Sequence, residues 1–267
     1  VALVAFVDAN GTQLWVETNG TGPAVLFLHG GLGDSRLWAP VAERLADRFR
    51  TIRYDYRHYG RSGSPTGAFS TLDDLFAVLD AVGVDSAALV GLSLGGSIAL
   101  DAALARPERV WAIAHVAGAV TGLPLGLATD EEYAEYEAAI ERGDLDAAMA
   151  FDFEMWAPLG SDEHLRDLWL ATPDARGLPE GATPASRPPA HERLGDVAVP
   201  TLVIVATHDP QGLRDHGSTV ARTVPGARLV ELESDHYLTL REPDRIADLL
   251  ADFLTGLPAS TPSSSSY

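Results

Sequence analysis

Most of the chain alternates between short, continuously apolar runs and segments whose apolar residues recur with helical spacing. The runs are rich in Val, Ile and Leu, as in AVLFLHGG (residues 24–31) and PTLVIVATHDP (residues 200–210). Strands that are apolar on both faces belong in a covered sheet, and helices between strands are the connections that parallel strands require. We therefore expect an α/β fold with a mostly parallel sheet flanked by helices. The start differs, because Asn10-Gly11 lies between two alternating runs and predicts an antiparallel hairpin.

The alternation stops between residues 121 and 190, which we call the insert. Thr129 and Glu132 have the spacing of a capping box and predict the start of a helix. Two more helices are expected, capped by Asp144 and Ser161, before a stretch whose five prolines exclude regular structure. The expected organisation is a first core segment at 1–120, a small helical lid and proline-rich strap at 121–190, a second core segment at 191–257 and a disordered tail at 258–267.

Composition excludes several classes of function. The chain has 267 residues, 46% of them apolar, which suits one large hydrophobic core. Because it contains no cysteine, disulfides, thiolate metal sites and cysteine nucleophiles are excluded. Its histidines show no spacing typical of a metal site. The formal net charge of −19 disfavours nucleic acid and membrane surfaces as partners, because both require a basic face. The sequence has no apolar stretch near the roughly 18 residues of a membrane span and no leader sequence. We therefore expect a cytoplasmic protein.

A serine stands between two glycines where an apolar run becomes a helical pattern, in VGLSLGGSIAL (residues 90–100). The spacing G-x-S-x-G alone is weak, since a chain this rich in glycine and serine produces it by chance in roughly one sequence in ten. Here a strand precedes it and a helix follows. Glycine at 91 and 95 permits a tight turn that lifts the serine hydroxyl clear of the sheet. We expect Ser93 to be a nucleophile; the alternative is a loop serine that caps a helix.

A serine hydroxyl needs a base to accept its proton and an acidic residue to orient that base. His236 and Asp209 each follow a predicted strand, so both are expected at the carboxyl edge of the sheet, as the serine is. Asp235 is an alternative acid, but neighbouring side chains diverge at the end of a strand. His208 is interpreted as a packing or pocket residue and His58 as a solvated loop residue.

The negative charge that develops in acyl transfer needs backbone N–H donors. The turn in LFLHGGLGDSRLW, after the third predicted strand, can supply one from Gly31, with Leu32 as the alternative. The second is expected from Leu94, at the start of the helix that follows the serine. A glycine-rich phosphate cradle is the competing interpretation, but the chain lacks both G-x-G-x-x-G and the lysine of a P-loop.

Five successive segments resemble the signature segments of the α/β-hydrolase superfamily, in the correct order. They are HGGLGDSRLW, YDYRHYGRSGSP, VGLSLGGSIAL, PTLVIVATHDP and SDHYLTLREPDRIADLLADFL. The resemblance covers nearly all of the chain and implies an eight-stranded, mostly parallel sheet with the insert as a lid over the site. It is closest to the serine branch that contains enol-lactonases, small esterases, cofactor-free haloperoxidases and carbon–carbon bond hydrolases. A serine at position 93 argues against an epoxide hydrolase or a haloalkane dehalogenase, because those enzymes attack with a carboxylate.

The chain departs from that family pattern in three places. Asp235 stands where relatives often have glycine, Pro210 directly follows Asp209, and the insert is short for a lid. These departures affect the loops that carry the expected acid and base, and the roof of the site.

The residues together predict a serine hydrolase that cleaves a small, largely apolar ester or lactone through an acyl-enzyme. No cofactor and no metal is expected. Four side chains are expected to line the pocket, with the insert's own core as the alternative role: Trp38, Met155, Trp156 and Trp169. Two alternatives from other classes remain open, a lyase-type or carbon–carbon bond-cleaving reaction with the same triad, and a binding protein that has lost catalysis.

Overall fold

A computed structural model describes residues 2–173 and 179–257 of the chain. The strands in these two ranges are β1 (Leu3–Ala9), β2 (Thr12–Asn19), β3 (Ala24–Leu28), β4 (Arg50–Tyr54), β5 (Ala68–Phe69), β6 (Ala87–Leu92), β7 (Val110–Val116), β8 (Thr183–Pro184), β9 (Thr201–Ala206) and β10 (Arg228–Leu232). Within the described ranges, eight of them form one sheet in the order β1-β2-β4-β3-β6-β7-β9-β10, while β5 and β8 pair separately.

The sheet is parallel from β4 to β10 and antiparallel only where β2 pairs with β1 and with β4. The first hairpin turns at Asn10 and Gly11, whose φ values of 51° and 78° suit a type I′ turn. Strands β3, β6, β7 and β9 are buried along their whole length, as continuous apolar runs require. The predicted α/β fold with a mostly parallel, eight-stranded sheet is confirmed.

The helices of the described residues lie in the insert and on both faces of this sheet. They are α1 (Ala39–Leu45), α2 (Thr71–Ala81), α3 (Leu94–Ala105), α4 (Asp130–Glu141), α5 (Leu145–Trp156), α6 (Glu163–Leu170), α7 (Gln211–Thr223), α8 (Leu238–Arg241) and α9 (Pro243–Thr255). Apolar side chains of α1 and α9 pack on one face, and those of α2, α3 and α7 on the other. Because parallel strands end at one edge, the loops after β3, β6, β9 and β10 meet there.

Some element boundaries differ from the sequence expectation. The helical spacing of Leu37, Val41 and Leu45 predicts a helix from about Ser35, and the structure begins it as a 3-10 helix, Ser35–Trp38, before α1. Helix α6 is capped by Asp162, whose carboxylate accepts from the Leu165 N–H, and not by Ser161. The proline-rich strap is also not wholly irregular, because β8 pairs with β5.

The insert contributes helices α4, α5 and α6. Helix α4 begins with the predicted capping box, in which Thr129 and Glu132 each bond the other's backbone. The three helices share a small apolar core of their own: Ala139, Ala148, Met149 and Trp169. Trp156 and Leu168 instead pack into the core on the α1 and α9 face of the sheet. The insert is therefore anchored to the main body by its own apolar residues.

None of the helices in the described part of the chain is long and apolar enough to cross a membrane. The predicted tail at 258–267 and part of the strap, residues 174–178, lie outside the described residues.

Trp38, an expected pocket residue, lies in the core. Its side chain has 0% exposure, its indole Nε1 donates to the Leu28 carbonyl at 2.8 Å, and its ring centroid is 5.2 Å from that of Phe27. Because no surface of Trp38 is accessible, the side chain joins the first 3-10 helix to the sheet.

We expect Trp38→Ala to lower the free energy of unfolding by about 3–5 kcal/mol, because it creates a cavity and leaves the Leu28 carbonyl without its donor. Urea denaturation monitored by circular dichroism measures this. Phe6→Ala is the control, since Phe6 is 57% exposed, and should change stability by less than about 0.5 kcal/mol. Equal losses in both variants would contradict the assignment of Trp38 to the core.

Candidate active site

Ser93 occupies a strained turn between β6 and α3. Its φ of 55° and ψ of −115° lie in a region that residues other than glycine rarely adopt. A Cβ on Gly91 would lie 2.1 Å from the Gly95 carbonyl oxygen, and one on Gly95 would lie 2.2 Å from the Leu28 carbonyl oxygen. Both positions therefore require glycine, as the sequence pattern predicts. The turn leaves Ser93 only half-buried at the carboxyl edge of the sheet.

His236 and Asp209 form a buried pair at the same edge. Asp209 follows β9, His236 follows β10, and His236 Nδ1 lies 3.1 Å from Asp209 Oδ1. Because a carboxylate only accepts hydrogen bonds, Nδ1 carries the hydrogen and Nε2 keeps its lone pair. The other oxygen, Asp209 Oδ2, has no hydrogen bond within the described residues, and Pro210 next to it has no N–H to offer. The pair is thus arranged for imidazole to act as a base.

Asp235 has a different environment from Asp209. It is completely buried and paired with Arg241, with a distance of 2.6 Å between Arg241 Nε and Asp235 Oδ1. The ring of His236 is bonded to Asp209 instead. The sequence held one signal for this contact that the sequence analysis did not use. Arg241 follows six positions after Asp235, which stands where relatives often have glycine.

The Ser93 hydroxyl is not hydrogen-bonded to His236 in the described part of the chain, and it does not cap α3. Catalytic hydrogen bonds are often long without a substrate and shorten in the reacting complex. Ser93 and His236, the candidate nucleophile and base, lie at the same edge of the sheet, which is the placement that proton transfer between them requires.

The glycine turn after β3 packs against the serine turn. A Cβ on Gly30 would lie 3.3 Å from the Ser93 Cβ. The buried ring of His29 fixes this turn: the Tyr56 N–H donates to His29 Nε2 at 3.1 Å, and His29 Nδ1 donates to the Gly30 carbonyl at 2.7 Å. Burial lowers the pKa of His29, which favours this neutral form. Since the peptide bond is trans, the Gly31 N–H points away from the His29 ring.

Two further histidines, His115 and His216, support the loop after β7, which contacts Ser93 from the other side. His115 Nε2 lies 3.0 Å from the Ala119 carbonyl, and the Ala119 N–H donates to the Ser93 carbonyl at 3.0 Å. His216, on α7, is buried and bonds the Val120 N–H and the Pro124 carbonyl. Sequence reasoning did not identify this support, because it joins β7 to α7 across about 100 residues of chain.

The remaining expected pocket residues have different positions. Trp156 lies against the base, with its ring centroid 4.5 Å from that of His236. Met155 is half-buried beside it. Trp169 is fully buried in the insert, where its Nε1 donates to Asp152 at 2.7 Å, so it belongs to the insert's core. Of the four, Trp156 is the one in direct contact with a candidate catalytic side chain.

The structure offers no metal site in the residues it describes, because no three His, Asp or Glu side chains are clustered to bind an ion. The chemistry that these residues can perform is proton transfer and nucleophilic attack.

Comparisons with known proteins agree with this fold. The sequence pattern of the alpha/beta hydrolase fold family matches residues 23–243. A rhodomycin D methylesterase from Streptomyces sp. is 31% identical over 283 residues, spanning 88% of this chain and 92% of the relative. A 3-oxoadipate enol-lactonase from Acinetobacter baylyi is 22% identical over 264 residues, 95% of this chain and 97% of the relative. A bromoperoxidase from Bacillus anthracis shares the fold, with a TM-score of 0.78 at 19% identity, covering 96% and 100% of the two chains.

The buried His115 predicts a stability change in mildly acidic solution. Burial lowers the pKa of His115 from 6.5 to about 4, so between these values the unfolded chain binds a proton that the folded protein does not. The stabilisation is fully present above pH 6.5 and is lost as the pH falls towards 4, a loss of about 3 kcal/mol.

We expect His115→Gln to reduce the pH dependence of the free energy of unfolding between pH 6.5 and 4, since glutamine keeps the donor to Ala119 and does not titrate. Urea titrations at several pH values measure the slope. His164→Gln, an exposed position on α6, should keep the wild-type slope. An unchanged slope in His115→Gln would show that another group is responsible.

Proposed function

The chain belongs to the alpha/beta hydrolase fold family and is an enzyme of that family, and we propose that it is a serine hydrolase acting on a small, largely apolar carboxylic ester or lactone. The observation that carries the proposal is the buried His236–Asp209 hydrogen bond of 3.1 Å, at the sheet edge where Ser93 occupies its strained turn. A base with a fixed tautomer and an adjacent serine are the two parts that acyl transfer requires.

In the first half of the proposed reaction, the Ser93 oxygen bonds to the carbonyl carbon while its proton moves to His236 Nε2. Asp209 holds the ring through Nδ1 and stabilises the imidazolium that forms. The bond between the carbonyl carbon and the leaving oxygen then breaks, and that oxygen takes the proton from Nε2. An acyl group remains on Ser93.

The proposed donors to the oxyanion are two backbone groups. Leu94 is the first residue of α3, so its N–H has no partner within the helix. The Gly31 N–H is the second donor, because the peptide before it is held by His29 and lies beside Ser93. Fixed donors of this kind stabilise charge as it develops and need no rearrangement during the reaction.

In the second half, His236 Nε2 removes a proton from water as the water oxygen attacks the acyl carbon. The acid is released when the carbon–oxygen bond to Ser93 breaks and Nε2 returns the proton to the serine oxygen. All atoms come from the ester, one water and these side chains. The step is the same for an open ester and for a lactone, in which the leaving hydroxyl stays attached to the product.

Two observations support an apolar ester or lactone as the substrate class. Trp156 presents an aromatic surface directly beside the base, with half-buried Met155 next to it in α5. The similar proteins include a methylesterase and an enol-lactonase by name. We therefore assign ester or lactone hydrolysis to this chain.

We expect Ser93→Ala to lower kcat by at least about 10⁴-fold on p-nitrophenyl acetate, because no other group replaces the nucleophile. A fluorophosphonate should add covalently to Ser93 of the wild type, as read by mass spectrometry, and should not label the variant. Ser218→Ala on α7 is the matched control and should retain wild-type rate and labelling.

Absence of labelling in the wild type would contradict the proposal and favour a binding protein. Labelling at Ser93 without ester or lactone hydrolysis would instead favour the lyase-type or carbon–carbon bond-cleaving alternative.

We expect Asp209→Asn to lower kcat on the same ester by about 10⁴-fold, because an amide neither fixes the required tautomer nor stabilises the imidazolium. Initial rates at saturating substrate measure this. A larger loss in Asp235→Asn than in Asp209→Asn would show that Asp235 is the orienting acid and would contradict the assignment.

A further inference from the structure

The end of α5 and the loop after it lie directly on the loop that carries the base. The His236 N–H donates to the Trp156 carbonyl at 3.2 Å, and the two rings are in contact, with centroids 4.5 Å apart. The backbone and side chain of the base are thus both joined to one residue of the insert.

Asp235, next to the base, makes the second connection. It is 0% exposed, and its carboxylate accepts from the Leu159 N–H at 3.2 Å and from the Tyr237 N–H at 3.1 Å. Arg241 adds two charged donors, Nε at 2.6 Å and Nη2 at 2.7 Å. Both carboxylate oxygens are therefore satisfied, which a buried carboxylate requires.

Arg241 completes the connection from the other side. Its Nη2 also donates to the Gly160 carbonyl at 2.5 Å. A bidentate arginine–carboxylate pair is both stronger and more directional than a neutral hydrogen bond. We call Asp235, Arg241 and the backbone of residues 156–160 the clasp. Among the described residues, its hydrogen bond to a proposed proton-transfer group is the one between the His236 N–H and the Trp156 carbonyl, and it makes none to Ser93 or Asp209.

We propose that the clasp holds His236 and the side chain of Trp156, which we call the wall, together as one unit. It thereby positions the base and limits the size of the acyl group that the site accepts. The inference rests on the proposed function and deepens it. In the proposed reaction His236 serves the acyl group on Ser93, and the ring of Trp156 contacts His236, so we expect that acyl group to lie near Trp156. We expect a larger acyl group to displace Trp156, and that movement would pull on the His236 backbone through the hydrogen bond at 3.2 Å. Substrates that displace the wall thus also misplace the base.

The device makes a distinctive kinetic prediction. Loosening the clasp should lower kcat on p-nitrophenyl acetate by about tenfold, because small displacements of a base reduce catalysis strongly. It should lower kcat/KM on p-nitrophenyl octanoate much less, because Trp156 can then move to admit the longer acyl group. The ratio of kcat/KM for acetate over octanoate should therefore fall by about tenfold, a change that mere loss of stability does not produce.

The test uses Asp235→Asn, Arg241→Met and Arg241→Lys in the full chain. Hydrogen exchange read by mass spectrometry should be at least about tenfold faster for amides of residues 156–160 in the first two variants, with core strands unchanged. Arg241→Lys keeps the charge and should recover part of both the exchange protection and the acetate preference. It also remains informative if Arg241→Met, which leaves Asp235 buried without its cation, fails to fold.

Asp146→Asn is the matched control, because it removes an ion pair with Arg166 in the same insert but at an exposed site, 78% and 49% exposed for the two side chains. It should leave exchange at 156–160 and the acetate-to-octanoate ratio at wild-type values.

The inference is overturned by unchanged exchange at 156–160, by equal effects in Asp146→Asn, or by an equal loss of kcat/KM for both esters. Fluorophosphonate labelling of wild-type Ser93 distinguishes failure of the proposed function from failure of the clasp's role in specificity. A wild type that is not labelled removes the proposed function, and the specificity role with it, whereas labelled wild type with an unaltered ester ratio removes only the clasp.

Discussion

Close contact between backbones at the start of α3 determines where everything else in the site lies. Gly95 lies against the Leu28 and His29 carbonyls, and Gly91 lies against Gly95, with no space for a Cβ at either position. The strand β6, the helix α3 and the turn after β3 are thereby in direct contact. The unfavourable φ of Ser93 is compensated by backbone hydrogen bonds, from its N–H to Val116 and from Ala119 to its carbonyl. Ser93, the proposed nucleophile, and the proposed oxyanion donors are positioned by this single packing constraint.

Three buried histidines at this edge differ in role because their partners differ. His29 and His115 bond backbone carbonyls, and burial lowers the pKa of each, so both stay neutral and act as fixed links between loops. His236 is bonded to a carboxylate, which orients its ring and holds the hydrogen on Nδ1, so that Nε2 is available for the proposed proton transfer. The identity of the residue alone does not distinguish these roles, and the hydrogen-bond partner does.

Features that depend on neighbouring residues in the chain could be predicted from the sequence. The apolar runs predicted the sheet, and Gly91 and Gly95 predicted the serine turn, because these patterns reflect local backbone requirements. The apolar run RVWAIAHVAGAV (residues 109–120) predicts one strand, but β7 ends at Val116, since Ala117 adopts a φ of 40° that its sequence does not signal. Trp38 and Trp169 could not be assigned, because cores and pockets favour the same aromatic side chains. Contacts such as Asp235 with Leu159 require the folded structure, since 76 residues separate the partners.

The choice of basic residue connects the clasp to the rest of the molecule. All 19 basic residues of this strongly acidic chain are arginines. Several bond a carboxylate and a backbone or hydroxyl oxygen together, as Arg57 does with Asp74 and Ala9, and Arg61 with Asp55 and Ser35. A planar guanidinium can serve two such acceptors at once, whereas an ammonium offers no fixed fork. Arg241 uses the same geometry between Asp235 and Gly160, and this is the reason that one side chain can join the loop of the base to the insert.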